Sequence, residues 1–221
     1  ITKQEGKKEG VAFNDLVQSL SFSADGNLLA AGGFRTVKIW QRSPNRKLRD
    51  LSSVADVPKA IAVSTDGKQV ALALNNGSIV LADSANGKIT KTLSGHQGAV
   101  LAVQWSADQA VLFSAGADKT IRSWTVADGK QQASLETPAP IQAIALVSEG
   151  KQIAAAGEDK IIRIWNLPGA QVAEPAAAAE KKEENKEEKK EEAPAAPKPI
   201  RELAGHGGPV VALVATGEKQ S

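Results

Sequence analysis

Gly95-His96-Gln97-Gly98-Ala99-Val100 opens a stretch that continues through Ser106-Ala107-Asp108 and Ser114-Ala115-Gly116-Ala117-Asp118 to Ile121-Arg122-Ser123-Trp124. Short apolar runs bounded by turn residues fill it: Val100 to Trp105, Ala110 to Ala115, Thr120 to Thr125 and Gln131 to Leu135. Period-two alternation between turn clusters predicts four antiparallel strands. A helical reading would need apolar residues recurring every three or four positions, and they do not.

The same stretch recurs on either side. Trp40, Ala82, Trp124 and Trp165 fall at equivalent places, with spacings of 42, 42 and 41. Leu20-Ser21-Phe22-Ser23-Ala24-Asp25-Gly26 matches Ile61-Ala62-Val63-Ser64-Thr65-Asp66-Gly67 and Val103-Gln104-Trp105-Ser106-Ala107-Asp108. Ala145-Leu146-Val147-Ser148-Glu149-Gly150 matches more loosely, and a further unit opens at Gly205-His206. Four strands per roughly 42 residues is the pattern of a propeller blade. The expected fold is therefore all-β: four-stranded antiparallel blades near 11–51, 57–93, 95–135 and 138–203, with the start of a fifth over 205–221. Asp25-Gly26, Asp66-Gly67 and Asn76-Gly77 suit tight hairpins because glycine accepts positive φ. Gly32-Gly33 reads as another hairpin turn. The small residues of the second strands (Leu29-Ala30-Ala31-Gly32, Ile153 to Gly157) would let neighbouring sheets approach closely.

On these motifs the chain resembles the WD-repeat β-propeller family, over nearly its whole length. The resemblance implies that His96, Ser114, Asp118 and Trp124 form a hydrogen-bonded tetrad tying the strands of one blade together. Only this third repeat has all four. The fourth keeps Asp159 and Trp165 but has Ala155 and Thr137 in the serine and histidine places; the second has Asn76 and Ala82; the first keeps Trp40, with Phe34 in the aspartate place. The third blade should be the most tightly specified. The family usually closes with seven blades, about 290 residues at this period, so the remaining blades are expected from a missing part of the same chain. The repeat style looks like that of bacterial WD-repeat proteins, some of which carry a c-type cytochrome domain. No Cys-x-x-Cys-His motif is present here.

Composition sets outer limits. With 221 residues, 42% hydrophobic, there is material for a sizeable core. The chain has no Cys, which removes disulfides, thiolate metal sites and cysteine nucleophiles from its own chemistry. It starts at Ile1 and has no Met, so its native start is expected to lie upstream. The compartment, bacterial cytoplasm or periplasm, stays open. No run of about 18 apolar residues points to a membrane span, and a net charge of +2 makes no general case for nucleic acid.

After Trp165 the period is interrupted by Pro168 to Pro199, and Ile200-Arg201-Glu202-Leu203 resumes the blade. Glu180 to Glu192 contains seven Glu, five Lys and one Asn. As a helix, its charged i,i+4 pairs would all be like-signed, among them Glu180/Glu184 and Lys182/Lys186, each costing about 0.2–0.5 kcal/mol. Opposite pairs at i,i+3 such as Glu183/Lys186 offset part of this. With no apolar stripe to bury, a disordered, solvated loop over 168–199 is expected.

His96, Ser114 and Asp118 are the residue types of a nucleophilic triad. The tetrad accounts for all three, and no Gly-x-Ser-x-Gly elbow accompanies them. The two histidines, His96 and His206, occupy equivalent places in different blades, which argues against a shared metal. Asp25, Asp66 and Asp108 read as turn formers. No cofactor or metal is expected.

Binding in the family usually uses the loops of the narrow face. Here those include Phe34, Arg35, Asn75, Gln97 and Glu158. Phe34, an apolar residue in the turn aspartate's place, would anchor a partner if exposed and be simple packing if folded inward. Arg42, Arg46, Lys47 and Arg49 form a basic cluster that reads as edge-strand protection; an anionic partner is the alternative, without the interleaved aromatics of a nucleic-acid site. The function expected is a non-catalytic scaffold for protein partners. The alternatives are a propeller domain of a larger redox protein or other enzyme, or a ligand-binding propeller using its central channel.

Overall fold

The computed structural model of the chain describes residues 16–41, 46–51, 54–167 and 198–215. Those residues form four sheets of four strands, each a simple antiparallel meander. The first holds β1 (Ser19–Phe22), β2 (Leu28–Gly33), β3 (Thr36–Gln41) and β4 (Arg46–Leu51). The second holds β5 (Pro58–Val63), β6 (Gln69–Leu74), β7 (Ser78–Asp83) and β8 (Ile89–Ser94). The third holds β9 (Val100–Trp105), β10 (Val111–Gly116), β11 (Thr120–Thr125) and β12 (Gln131–Glu136); the fourth holds β13 (Ile141–Val147), β14 (Gln152–Gly157), β15 (Ile162–Asn166) and β16 (Arg201–Leu203). The expected all-β, blade-like architecture is thus present. Among the described residues the one helical turn is the 3-10 segment Ser148–Gly150.

The first hairpin of each of the first three blades is closed by one device. Ser64 Oγ donates to Asp66 Oδ1 at 2.7 Å and accepts from Gln69 N at 2.9 Å. Ser23 with Asp25 and Leu28, and Ser106 with Asp108 and Val111, repeat it. Each carboxylate also accepts a backbone N–H two residues on, from Asn27, Lys68 or Ala110. The turn aspartates are therefore half of a Ser-x-Asp clip. The fourth blade departs from this. Ile144 opposes Ala155 where Val103 opposes Ser114, so Leu146, and not Val147, stands at the level of Trp105. The loose match of Ala145 to Val103 is thus one residue out of register, which would reverse every side chain across the sheet. Val147 falls in the clip serine's place and cannot make the bonds, and the 3-10 turn replaces the clip.

Packing follows the two-residue alternation. In β6, Val70, Leu72 and Leu74 point into a core shared with Ile39, Leu51 and Ile61, while Ala71 and Ala73 face Trp105, Leu112 and Trp124 of the third blade. Large residues face one neighbour and small ones the other because the third blade presents two tryptophans to that seam. A third core joins Ala102, Phe113, Ala115 and Ile121 to Ile141, Ile153, Ala155 and Trp165. The second-strand glycines do more than bring sheets together. A Cβ on Gly32 would lie 2.9 Å from Ile61 Cδ1 of the next blade, but one on Gly116 would lie 2.4 Å from Ala99 O of its own. Gly32 and Gly33 end β2 as buried strand residues; the turn they were expected to make is Phe34-Arg35.

A second kind of contact sews blade to blade. Ser21 Oγ accepts from Val63 N (3.2 Å), Ala62 O accepts from Trp105 Nε1 (3.1 Å), and Gln104 Oε1 accepts from Leu146 N (3.2 Å). Ser21, Ala62 and Gln104 are equivalent, as are Val63, Trp105 and Leu146, so one position always accepts from the next position of the following blade. These bonds hold β1, β5, β9 and β13 in the same orientation. The turns Phe34-Arg35, Asn75 to Gly77, Ala117 to Lys119 and Glu158 to Lys160 therefore share one rim with the starts of those inner strands. The Ser-x-Asp clips lie on the opposite rim.

Residues 204–215 carry no strand, although a fifth unit was expected to open there. Val210 N donates to Gly157 O (3.0 Å) and Lys160 Nζ to Gly207 O (3.1 Å), but isolated bonds of this kind do not make a ladder. The insertion over 168–199 lies outside the described residues except for its last two. Arg42 also lies outside them, as do the side chains of Arg46, Lys47 and Arg49 on β4.

Candidate functional site

The third blade gathers His96, Ser114, Asp118 and Trp124 into one chain of hydrogen bonds. His96 stands in the connection before β9, Ser114 in mid-β10, Asp118 in the turn after it and Trp124 in β11. Trp124 Nε1 donates to Ser114 Oγ at 2.8 Å, and Ser114 Oγ lies 2.8 Å from His96 Nε2. His96 Nδ1 lies 2.9 Å from Asp118 Oδ2. One arrangement of protons satisfies every donor: indole N–H to serine oxygen, serine O–H to Nε2, Nδ1–H to the carboxylate. Burial lowers the His96 pKa below its ordinary 6.5, although Asp118 pulls the other way, so the imidazole is neutral as this arrangement requires. For Asp118, burial opposes ionisation, but the bonds from His96 and from Gln97 N (3.0 Å) outweigh it and hold the carboxyl below 3.8.

Ser114, His96 and Asp118 stand in the order and at the distances of a nucleophilic triad. Access is what differs. Ser114 is 0% exposed and its oxygen already accepts a tryptophan N–H, so no substrate carbonyl reaches it without opening the blade. Candidate catalytic side chains need an approachable reacting atom.

Two residues of this network were not singled out from the sequence. Thr120 Oγ1 donates to Asp118 Oδ1 (2.9 Å) and accepts from Arg122 Nε (3.1 Å). Arg122 also lies 3.5 Å from Asp118 Oδ2 and donates to Gln131 Oε1. The signal was available in Asp118-Lys119-Thr120, since a hydroxyl two residues after a turn aspartate falls beside its carboxylate.

The fourth blade fills the same positions differently. Ala155 opposes Arg163 as Ser114 opposes Arg122. Trp165 Nε1 consequently has no hydrogen-bond partner among the described residues, although Trp165 is only 2% exposed. Thr137, in the histidine's place, turns its hydroxyl to Lys119 O and Ala139 O. Asp159 pairs instead with Arg163, whose Nε donates to Glu202 Oε1 at 2.7 Å. That arginine is buried, and burial disfavours its charge, yet Asp159 and Glu202 raise its pKa all the same. The Arg163–Glu202 bond spans the insertion, a pairing that sequence order conceals.

Phe34, Arg35, Asn75, Gln97 and Glu158 are all exposed and all belong to the rim described above. In the equivalent turns, Asn76 Oδ1 accepts Ser78 N, Asp118 Oδ1 accepts Thr120 N and Asp159 Oδ1 accepts Ile161 N. Phe34 has no side-chain acceptor to offer Thr36 and is 60% exposed; of the two alternatives, it projects into solvent. His206, at the place equivalent to His96, is exposed. Among the described residues no three His, Asp or Glu side chains gather as a metal site would require.

The blades, their shared cores and the tetrad residues define a repeat protein of the propeller class. The WD domain, G-beta repeat family matches the chain at residues 9–41, 87–125 and 129–166, and the chain belongs to that family of WD-repeat proteins. Most of the second blade, with Ala82 in the tryptophan's place, falls between the matched ranges. The chain is similar to transcription factor unc-37 of Caenorhabditis elegans, at 27% identity over 154 residues, 69% of this chain and 25% of that protein. It is similar to protein groucho of Drosophila melanogaster, at 26% over 170 residues, 73% of this chain and 23% of that protein. Human WD repeat-containing protein 3 shares 29% over 108 residues, 49% of this chain and 11% of that protein. The chain thus spans a quarter or less of the length of these curated relatives.

Proposed function

We propose that the chain is a non-catalytic scaffold that presents the rim carrying Phe34, Arg35, Asn75, Gln97 and Glu158 to protein partners. The observation that carries this reading is the division of side chains. The groups capable of acid–base or nucleophilic chemistry in the third blade are used internally, as a tetrad that fixes strand register, while an aromatic ring stands in solvent on the rim. Membership of the WD-repeat family supports an interaction role, and a relative named as a transcription factor is in keeping with it. Fold likeness alone would not be enough.

Further blades are part of this reading. Leu20 and Phe22 are 61% and 63% exposed, whereas their equivalents Ile61, Val63 and Trp105 are covered by the preceding blade. That open face supports ring closure by additional blades of the same protein. Were this a bacterial protein with a c-type cytochrome domain attached, a Cys-free chain would serve as its rigid mount and supply no thiol for haem attachment. Affinity capture with the complete protein tests the scaffold: partners lost when the rim is altered support it. Turnover of a substrate by the pure protein, with no partner recovered, would overturn it.

A further inference from the structure

The rim has a charge pattern of its own. Its four turns each hold one residue at positive φ: Arg35 (52°), Gly77 (86°), Lys119 (59°) and Lys160 (64°). Glycine or asparagine takes this left-handed conformation with least strain, and an ordinary side chain is strained there. Three of the four positions nevertheless carry a long cation, and all three cations are exposed. The exception has a local cause, since a Cβ on Gly77 would lie 2.7 Å from His96 O. The carboxylates next to the cations do not cancel them. Asp118 is turned inward to His96, and Asp159 is paired with Arg163. Glu158 is the exposed carboxylate among these turns. In the first turn Phe34 breaks the rule a second time, forgoing the backbone bond its equivalents make. Cations at strained positions and an aromatic without its turn bond, gathered on one rim, are the kind of local departure found at functional surfaces.

We infer that this rim binds an acidic segment of a protein partner, with the cations of Arg35, Lys119 and Lys160 facing its carboxylates and Phe34 packing against one apolar side chain. The inference rests on the scaffold reading and gives the partner its chemistry. Spaced cations on a rigid frame suit an extended acidic strand, and an exposed aromatic supplies the anchor that charge alone lacks. Lys160 Nζ also donates to Gly207 O, which leaves it further protons to offer.

The test uses the full chain and a fluorescein-labelled peptide of about a dozen residues, Glu alternating with Ala around a central Leu, read by anisotropy. The expected result is saturable binding that weakens as salt rises, and at least about a tenfold loss in the combined Arg35→Glu, Lys119→Glu, Lys160→Glu variant. Phe34→Ala should weaken binding with the salt dependence kept. Lys68→Glu with Lys130→Glu, on the opposite rim, should leave binding unchanged. A melting curve like that of the parent shows that the triple variant is folded; should it not fold, Lys119→Gly with Lys160→Gly removes two charges without strain and must weaken binding likewise. Equal binding of the Lys-for-Glu peptide, tighter binding of a single-stranded oligonucleotide, or insensitivity to the rim variants would overturn the inference. Partners that are captured by the complete protein but indifferent to these variants would overturn it too, while leaving the scaffold reading in place.

Discussion

Trp124 donates its indole N–H to Ser114 Oγ at 2.8 Å, and that one bond separates the third blade from the fourth, where Ala155 offers Trp165 no acceptor. Removing the acceptor should be costly. Ser114→Ala strands both the indole N–H and His96 Nε2 in a buried site, and each unsatisfied group costs about 1–3 kcal/mol. Urea denaturation should show the unfolding free energy falling by an amount in that range or above, with a lower midpoint; an unchanged midpoint would mean the tetrad contributes no stability.

The converse substitution should stabilise. Ala155→Ser supplies the oxygen that Trp165 Nε1 lacks, and one good buried bond adds about 0.5–1.5 kcal/mol. Calorimetry of the variant should show a higher melting temperature, and the indole N–H proton should exchange more slowly.

Acid should weaken the protein before its carboxylates titrate. Burial holds the folded His96 pKa below 6.5; the unfolded chain therefore takes up this proton at a higher pH than the folded one, and stability falls as pH drops from about 6.5. Asp118, Asp66 and Asp108, all held below 3.8, add their loss only below that value. Melting temperatures between pH 7 and about 5 should decline in the parent and stay level in His96→Gln. A parent curve flat across that window would contradict the assignment of a neutral buried imidazole.

The Phe34 turn should be improvable at the expense of binding. Phe34→Asp restores the acceptor found in its three counterparts and should add up to about 1 kcal/mol, while weakening capture of any rim partner. A variant neither stabler nor weaker in binding would show the turn to be neutral.

Much of this was legible in the sequence because the repeat repeats its chemistry. Trp40, Trp124 and Trp165 mark the same strand, and Ser-x-Asp recurs at each clip, so blade number and strand order could be read from spacing, while the third blade's tetrad residues followed from the family resemblance. What escaped depended on contacts that spacing does not encode. The register of β13 was misjudged because Ser148 resembles a clip serine, although the serine's place belongs to Val147. The bond from Arg163 to Glu202 crosses the insertion. Gly33 sits like a turn residue in sequence, but its neighbours bury it. Nothing in the sequence sets Lys119 and Lys160 apart from other surface lysines; their left-handed backbone conformation does.

The blade-to-blade seam has a consequence for how such a chain changes over time. Because each acceptor looks for its donor one repeat ahead, deleting or duplicating a whole unit re-creates a junction of the same kind, while a gain or loss of one residue inverts a strand. The molecule is thus built to tolerate edits in whole words and to reject those of a single letter.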